Sequence, residues 1–366
     1  MNSSKKFRVF LVATAIMVFT LILLSIFFFG NHENKDKTII GFIMSGSIQE
    51  QGWNGMHYKG VTEAGDELGV EISVKENIKE FTGECEIAIR ELVDAGAGMI
   101  ILSSYGYSEE VRDVVKEYPD IVFYANSPDY HEENMTSYFV RMYQARYLSG
   151  ILAGMQTTTN HIGYVAAMSN NEVNRGINAF TLGVRSVNPE ADVIVTWTGN
   201  WDDKEAEIKA VENLVEENVD VITYHQNQSY VIEAAEAAGI CSIGYHQVAE
   251  GFSDNYLTTV ACDWKQTYMQ LIREFLQGNG NLQSNFWIGI DQEAVELTEY
   301  SSLVTEQQKE AIEEAKKELL SGKDVFSDVI YDMSGTLRCA ENENISDEIL
   351  LQELDWFVEG IRFYEE

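Results

Sequence analysis

Short apolar runs alternate with longer amphipathic segments through most of the chain. The runs have the length and composition of buried strands, and the segments between them show the spacing of apolar residues that is typical of helices. The pattern predicts strands at residues 38–44, 70–74, 98–102, 121–124, 137–140, 161–166, 192–197, 219–223, 241–243 and 257–261. It predicts helices at residues 54–68, 82–95, 108–117, 143–155, 171–187, 203–217, 230–238, 305–321 and 346–364.

Strands that alternate with helices indicate βαβ units and parallel sheets. The alternation runs through two successive series, so we expect an α/β fold with two doubly wound lobes whose loops face a shared cleft. We assign residues 38–141 and 262–282 to lobe 1, and residues 142–261 and 283–330 to lobe 2. Residues 331–366 are expected to form an extension that packs on the lobes and closes with a helix.

The amino terminus has the features of a membrane segment. Residues 9–30 form an uncharged run of 22 residues, which as a helix would span about 33 Å, enough for a hydrocarbon core of about 30 Å. Basic residues in 1–8 favour a cytoplasmic amino terminus, and residues 31–37 form a short polar linker. We expect a single-pass signal anchor with the rest of the chain on the outer face of the cell membrane. The alternative is a secretory signal that is cleaved, which would leave a secreted or periplasmic protein.

Charge divides the chain at the same place. The 366 residues have a net charge of −34, but residues 1–37 carry +3, which leaves −37 for residues 38–366. Such an acidic domain is not expected to bind a nucleic acid polymer or an anionic lipid surface. Four scattered cysteines are too few for a disulfide scaffold or a zinc site.

Motifs for catalysis are absent from the sequence. It contains no Gly-x-Ser-x-Gly elbow, no His-Glu-x-x-His and no Cys-x-x-Cys, and Gly96 and Gly98 lack the lysine of a phosphate-binding loop. Scattered histidines near strand ends (His57, His225 and His246) are interpreted as hydrogen-bonding residues. We therefore predict a binding protein without catalytic residues, metal or cofactor.

Aromatic and amide residues cluster at the predicted strand ends. Trp53, Trp197, Trp201 and Trp264 lie at or just after strands, where loops face the cleft of such a fold. Planar rings beside amide and imidazole groups suit a flat heterocycle, since stacking contributes about 1–3 kcal/mol per base. The candidate polar partners are Asn54, Asn126, His225, Gln226 and His246. The specificity is expected to lie in a neutral, tryptophan-lined cleft.

Several ordered motifs resemble the basic membrane protein family, whose members are solute-binding proteins of ABC transporters with a type I periplasmic-binding-protein fold. The resemblance covers residues 38–366 and is similar in detail to the Med-like branch, in which the first motif reads Gly-Trp-Asn. The matching blocks are Gly-Trp-Asn at 52–54, Tyr-Leu-Ser-Gly-Ile-Leu-Ala-Gly at 147–154, Ile-Gly-Tyr-Val at 162–165, Arg-Gly-Ile-Asn-Ala-Phe at 175–180, Val-Asn-Pro at 187–189, residues 197–203, and Asp-Trp-Phe-Val-Glu-Gly at 355–360.

The resemblance implies a binding site. In purine-nucleoside receptors of this family two aromatic rings enclose the base, and those positions fall on Trp53 and Trp201, with the neighbouring amide on Asn54. An early strand-end aspartate of the family falls near Ser45. Further binding residues are predicted at His225, and at Trp264, which is expected to form a wall of the pocket.

The family's ribose-binding residues are replaced here. Two aspartates and a lysine of the family fall on Asn126, His246 and Cys262. The stacking pair is kept while the charged ribose contacts are lost, which favours a nucleobase such as adenine, or another flat heterocycle, over a nucleoside.

The resulting hypothesis is a monomeric receptor of an ABC importer that closes two lobes on a purine-like ligand and delivers it to a membrane permease. The alternatives are a membrane-anchored sensor or regulator with the same binding fold and, more remotely, an exported nucleoside hydrolase.

Overall fold

The computed structural model describes residues 37–50, 52–126, 132–246, 248, 250–278 and 286–365. The predicted membrane segment 9–30 and the flanking residues 1–8 and 31–36 lie outside this range. Among the described residues, no helix is long and apolar enough to cross a membrane.

Strands and helices alternate as the hydrophobic pattern predicts. The strands are β1 Ile39–Ile43, β2 Glu71–Lys75, β3 Ala97–Leu102, β4 Val122–Asn126, β5 Met135–Val140, β6 His161–Ala166, β7 Asp192–Trp197, β8 Val221–His225, β9 Cys241–His246, β10 Tyr256–Cys262, β11 Phe286–Ile288, β12 Val295–Leu297, β13 Ile330–Tyr331, β14 Leu337–Cys339 and β15 Ile361–Phe363. The helices are α1 Trp53–Leu68, α2 Glu84–Asp94, α3 Tyr107–Glu110, α4 Arg112–Lys116, α5 Met142–Gln156, α6 Asn171–Val187, α7 Lys204–Glu216, α8 Tyr230–Ala238, α9 Trp264–Leu276, α10 Glu306–Leu320 and α11 Asp347–Gln352.

Lobe 1 is built on a six-stranded sheet with the order β11-β5-β4-β3-β1-β2, and its strand pairs are parallel. Successive residues of β1 point to opposite faces, because side chains alternate along a strand. Phe42 joins the apolar cluster that contains Val61 of α1, whereas Ile43 joins the cluster that contains Leu92 of α2. Burial on both faces explains why these strands are continuous apolar runs in the sequence.

Lobe 2 repeats this arrangement in a seven-stranded sheet with the order β12-β10-β9-β8-β6-β7-β15. The order β7-β6-β8-β9-β10 corresponds to β2-β1-β3-β4-β5 of lobe 1. The pairs are parallel apart from β10 with β12. In each sheet the strand order reverses beside the first strand, which opens a crevice at the carboxyl ends of the strands.

The chain passes between the lobes three times, after β5, after β10 and after β11. The crossing segments are hydrogen-bonded to their neighbours, since Arg141 N donates to Ile288 O at 2.7 Å and Asp263 N donates to Ala294 O at 2.9 Å. Arg141 also forms an ion pair with Asp347 of α11. The carboxyl-terminal residues thus hold a crossing segment in place.

The structure corrects the assignment of residues 283–330 to lobe 2. Strand β11 pairs in parallel with β5, so that Phe286 lies opposite Tyr138 in the sheet of lobe 1. The chain returns to lobe 2 only after this strand, where β12 pairs with β10. A three-residue strand is too short to show a period, which is why the sequence did not separate it from its surroundings.

The prediction of a closing helix at residues 346–364 is also wrong. Helix α11 ends at Gln352, and β15 extends the sheet of lobe 2 by pairing with β7. The side chain of Asn178 on α6 holds the intervening backbone extended, since its Nδ2 donates to Trp356 O at 2.9 Å and its Oδ1 accepts from Val358 N at 3.0 Å. These bonds satisfy backbone groups that a helix would otherwise pair internally.

Candidate functional site

A cleft of about 380 Å³ lies at the carboxyl ends of both sheets. This volume is within the range of small-molecule sites, which is roughly 300–1,000 Å³. Lobe 1 contributes Ser45, Glu50, Trp53, Asn54, Glu80, Ser104, Tyr105, Asn126 and Phe139, and lobe 2 contributes Glu172, Trp201, His225, Asn227, Tyr245 and His246. Of the residues considered for the site from sequence, Ser45, Trp53, Asn54, Asn126, Trp201, His225 and His246 line this cleft, whereas Trp197, Gln226, Cys262 and Trp264 do not.

Trp53 is the first residue of α1 and is held from several sides. Its Nε1 donates to Ser103 O at 3.1 Å, and its ring centroid lies 4.1 Å from that of His57. His57 is buried and is itself hydrogen-bonded through Nδ1 to the hydroxyl of Tyr268. Burial lowers the pKa of His57 well below its ordinary value, so this ring is neutral at pH 7.

The structure corrects the position predicted for Trp264. Its side chain is 2% exposed and packs behind Trp53, with the two ring centroids 5.4 Å apart and the His57 ring 3.8 Å away. Gly60 of α1 permits this packing, because a Cβ built there would lie only 2.6 Å from Trp264 Cβ. Trp264 therefore supports Trp53 and does not line the cleft.

Asn54 and Ser45 build the loop beside Trp53. The Oδ1 of Asn54 accepts from Gly46 N at 3.1 Å and lies 3.4 Å from Ser45 Oγ, while its Nδ2 donates to Glu50 Oε2 at 2.8 Å. Both ends of the amide are thus engaged. Its visible role is to position Glu50, a residue that the sequence did not single out.

Asn126, the last residue of β4, presents a free donor. The residue is 2% exposed, and its Nδ2 has no hydrogen-bond partner in the described structure. A buried N–H group without a partner costs roughly 1–3 kcal/mol. A ligand acceptor in the cleft would satisfy it.

Trp201 lies in the loop between β7 and α7 and is held mainly through the backbone. Its carbonyl accepts from Asn227 N at 2.9 Å, and Asp203 caps α7 by accepting from Ala206 N at 3.1 Å. The ring contacts His225 edge to face, with the centroids 5.8 Å apart. The residue lines the cleft from the loop that follows the parallel strand β7.

Rings connect the two walls across the floor of the cleft. We call this series, which comprises Trp53, His246, Tyr245, His225 and Trp201, the aromatic arc. Successive centroids are 5.4, 4.0, 4.3 and 5.8 Å apart. The arc gives the ligand a continuous set of ring faces and edges between the lobes.

The histidines of the arc are uncharged at neutral pH. Burial lowers the pKa of His225, and burial together with the neighbouring His225 lowers the pKa of His246 to about 3. His225 Nε2 lies 2.8 Å from the Tyr245 hydroxyl and 3.7 Å from Glu172 Oε1, while its Nδ1 is buried without a partner. Burial opposes the charge of Glu172, but His225 and Arg175 outweigh it, so that the carboxyl has a lowered pKa and remains ionised.

Arg146 supports the arc from behind and was not predicted as part of the site. Its guanidinium is fully buried, lies 4.1 Å from the Tyr245 ring centroid, and donates to Thr223 Oγ1 at 3.1 Å and Tyr224 O at 2.8 Å. The Tyr-Gln-Ala-Arg motif at 143–146 was the available signal, but it carried no indication of this contact.

The expectation of a neutral cleft is wrong. Glu50, Glu80 and Glu172 line it, and no lysine or arginine does so among the described residues. No sequence signal distinguishes these three among the 59 acidic residues of the chain.

Cys262 does not take the place of a ribose-binding lysine in the cleft. It is buried, and its Sγ lies 3.9 Å from the Met142 sulfur. In the part of the chain that the structure describes, no group of three or more histidine, cysteine or acidic residues is arranged to hold a metal ion.

Comparison with known proteins gives consistent results. Residues 37–326 match the model of the family described as ABC transporter substrate-binding protein, PnrA-like. A purine-binding protein of Brucella abortus is 30% identical over 91% of this chain and 95% of its own length. A putative ABC transporter glucose-binding protein of Haloferax volcanii is also 30% identical, over 91% of this chain and 82% of its own length. The crystal structure of a transcriptional activator of the comK gene from Bacillus halodurans has a similar fold, with a TM-score of 0.70, 24% identity, and coverage of 78% of this chain and 98% of that one.

Proposed function

The chain belongs to the PnrA-like family of ABC transporter substrate-binding proteins, and from this premise we propose that it is a receptor that binds a purine nucleobase between Trp53 and Trp201. The observation that carries the proposal is that these two rings line one cleft from different lobes. Members of the family bind substrates and are not enzymes. Closure of the lobes would bring the rings onto the two faces of a flat ligand.

The similarity to a purine-binding protein supports this ligand class. Asn126 has an unpartnered donor and His225 an unpartnered ring nitrogen, and both residues are buried and line the cleft. Such groups favour ligands with matching polar edges, because a mismatch leaves them buried and unpaired. A base is favoured over a nucleoside because neither His246 nor Cys262 retains the family's charged ribose contact.

Isothermal titration calorimetry with adenine, hypoxanthine, adenosine and glucose tests the proposal. Glucose is included because a relative is named as a putative glucose-binding protein. We expect adenine or hypoxanthine to bind best, and Trp53→Ala and Trp201→Ala each to weaken binding by roughly tenfold or more, since each removes a stacking face worth about 1–3 kcal/mol.

Trp197→Ala provides a matched control for Trp201→Ala. Trp197 lies four residues away on lobe 2, but its ring packs on Phe357 and Phe363 outside the cleft. This variant is expected to melt at a lower temperature and to retain affinity. Tight binding of glucose alone, or unchanged purine binding in both cleft variants, would contradict the proposal.

We further propose that residues 9–30 anchor the receptor in the cell membrane with the binding lobes outside, where it delivers its ligand to an ABC permease. The basic residues before this run and its length support the orientation. Fractionation of cells that express the full chain, followed by protease treatment of intact cells, tests it. A soluble full-length protein, or one protected from protease, would contradict it.

A second candidate is a membrane-anchored regulator that uses the same ligand cleft. The shared fold with a comK activator motivates it. Co-purification of permease and ATPase subunits with the receptor from detergent-solubilised membranes favours transport, and their absence together with altered transcription in a deletion strain favours regulation. The remote alternative, a nucleoside hydrolase, predicts release of free base from adenosine.

A further inference from the structure

Two carboxylates of lobe 1, Glu50 and Glu80, line the cleft together with Trp53. Glu50 is held through Asn54, the residue after Trp53, by the 2.8 Å bond from Nδ2 to Oε2. Glu80 is held by the loop after β3, where its Oε1 accepts from Ser104 Oγ and from Gly106 N, both at 2.6 Å. Ser104 follows Ser103, whose carbonyl accepts from the Trp53 indole. Glu50 is thus held by the residue after Trp53, and Glu80 by the residue after the one that holds the Trp53 indole.

These carboxylates have neutral partners and no neighbouring cation in the described cleft. Asn54, Ser104 and Gly106 donate hydrogen bonds without compensating the charge. No lysine or arginine is among the described lining residues, and the lowered pKa values of His225 and His246 leave both rings neutral. Glu172 adds a third carboxylate from lobe 2. The electrostatic potential of the cleft is accordingly negative.

Two buried polar atoms of residues that line the cleft lack a hydrogen-bond partner that a ligand could supply. Asn126 Nδ2 and His225 Nδ1 both lack partners in the described structure, although their residues are only 2% and 3% exposed. Unsatisfied groups of this kind are rare in folded proteins unless a ligand or water pairs with them. The two residues line the cleft from opposite lobes, so that each is a candidate contact for a ligand.

We propose that Glu50 and Glu80, with Trp53 and Tyr105, form a subsite for a positively charged amino group on the ligand. The inference rests on the proposed function, since it assigns a charge class to the heterocycle bound by the same cleft. Carboxylates beside aromatic faces are the arrangement that binds ammonium groups, through ion pairing and cation–π attraction. The Tyr105 ring is 65% exposed at this place and is available for such contact.

The same charges select against anionic ligands. A phosphate or carboxylate placed beside Glu50 and Glu80 meets like charge with no arginine or lysine to offset it. The subsite thus favours a basic heterocycle over a neutral one of equal size, and a neutral one over an acid.

A charge series on one base tests the subsite by calorimetry at low salt. The probes are 9-(2-aminoethyl)adenine, 9-propyladenine and 9-(2-carboxyethyl)adenine, which share the base and differ in the charge of a short arm. We expect the amine to bind about tenfold more tightly than the propyl compound, as for one partly exposed ion pair, and the carboxylate to bind more weakly than both. Added salt should reduce the preference, because it screens charges.

Glu50→Gln and Glu80→Gln identify the residues responsible. Glutamine retains an acceptor for Asn54 or for Ser104 and Gly106, so that the loops stay in place while the charge is lost. Each variant is expected to lose part of the preference for the amine and the double variant most of it, where the preference is the ratio of the amine affinity to the 9-propyladenine affinity measured in the same variant. Glu63→Gln is the matched control, because it removes an exposed charge of α1 outside the cleft lining.

The outcomes separate this inference from the proposed function. Equal affinity for the amine and propyl compounds, or an amine preference that persists in the double variant, overturns the subsite while purine binding stands. If none of the three adenine derivatives binds and adenine itself does not, the proposed function fails and the subsite fails with it.

Discussion

The two walls of the cleft hold their tryptophans in different ways. Trp53 is fixed by its side chain, through the indole bond to Ser103 and the packing of His57 and Trp264 behind it. Trp201 is fixed mainly through the backbone of its loop, where its carbonyl is bonded to Asn227 N, and its ring touches His225 at an edge. The two sheets share a strand order, so topology does not cause the difference.

The difference has a consequence for ligand binding. A ring that is braced on its rear face keeps its position when the cleft is empty and provides a preformed surface. A ring carried by a loop can adjust when the lobes close. We therefore regard lobe 1 as the preformed wall and lobe 2 as the adaptable wall, and three predictions test this contrast.

The largest effect is expected when the support of the preformed wall is removed. Trp264→Ala leaves a cavity behind Trp53 and His57, and truncation of a buried tryptophan costs about 3–5 kcal/mol in the free energy of unfolding. Urea denaturation measures it, and purine binding should weaken as well because Trp53 loses its backing. A loss below about 1 kcal/mol would show that the wall does not depend on this packing.

An intermediate effect on stability is expected when the pH is changed, through a buried carboxyl group on the helix that follows the Trp201 loop of the adaptable wall. Burial raises the pKa of Glu207 to about 8, and its Oε1 accepts from Asp203 N at 3.4 Å, where α7 follows the Trp201 loop. Between about pH 4.5 and pH 8 the folded chain keeps a proton that the unfolded chain has lost, so this group makes the protein less stable as pH rises through that window.

Glu207→Gln removes this titration. The unfolding free energy of the variant minus that of the wild type should therefore increase by on the order of 1–3 kcal/mol as the pH is raised from 5 to 8. Urea denaturation at each pH measures this difference. Glu205→Gln is the control, since Glu205 is exposed on the same helix. A constant difference between Glu207→Gln and the wild type over this range would contradict the assignment of a buried, protonated carboxyl.

The smallest effect concerns the indole N–H groups. Trp53→Phe keeps a ring but leaves Ser103 O without its donor, which costs about 1 kcal/mol in the free energy of unfolding. Trp201→Phe keeps the backbone bond to Asn227, and we expect a change within about 0.5 kcal/mol. Chemical denaturation of both variants measures these changes in the free energy of unfolding. Equal losses would remove the distinction between the two walls.

Parallel topology is the part of the fold that could be predicted from sequence. Buried strands such as β1 are continuous apolar runs. The carboxyl ends of the parallel strands β1, β4, β7 and β8 place Trp53, Asn126, Trp201 and His225 at one cleft. What could not be predicted depends on contacts between distant residues. Trp264 also follows a strand, but its side chain packs inward against Gly60, which has no side chain to block it. The local sequence around Trp264 gives no sign of this contact.

Residues 346–364 are a second case in which contacts with distant residues decide the structure. Their apolar positions, which include Leu350, Leu351, Leu354 and Val358, follow the spacing of an amphipathic helix. The bonds that hold this backbone extended come from Asn178, about 180 residues away, and tertiary contacts override local preference. The cleft carboxylates were missed for a related reason, because composition gives their number but not their position.

Strand β15 has a further consequence for how lobe 2 assembles. Its register places Ile361 opposite Val193, so the pairing joins positions separated by 168 residues. Contacts of such separation form late, since the entropy of closing a long loop must be overcome before the pairing contributes. Until then β7 is an uncovered strand edge, and unpaired edges are sites of aggregation. In the folded protein β15 therefore covers the outer edge of β7 and protects it from pairing with other chains.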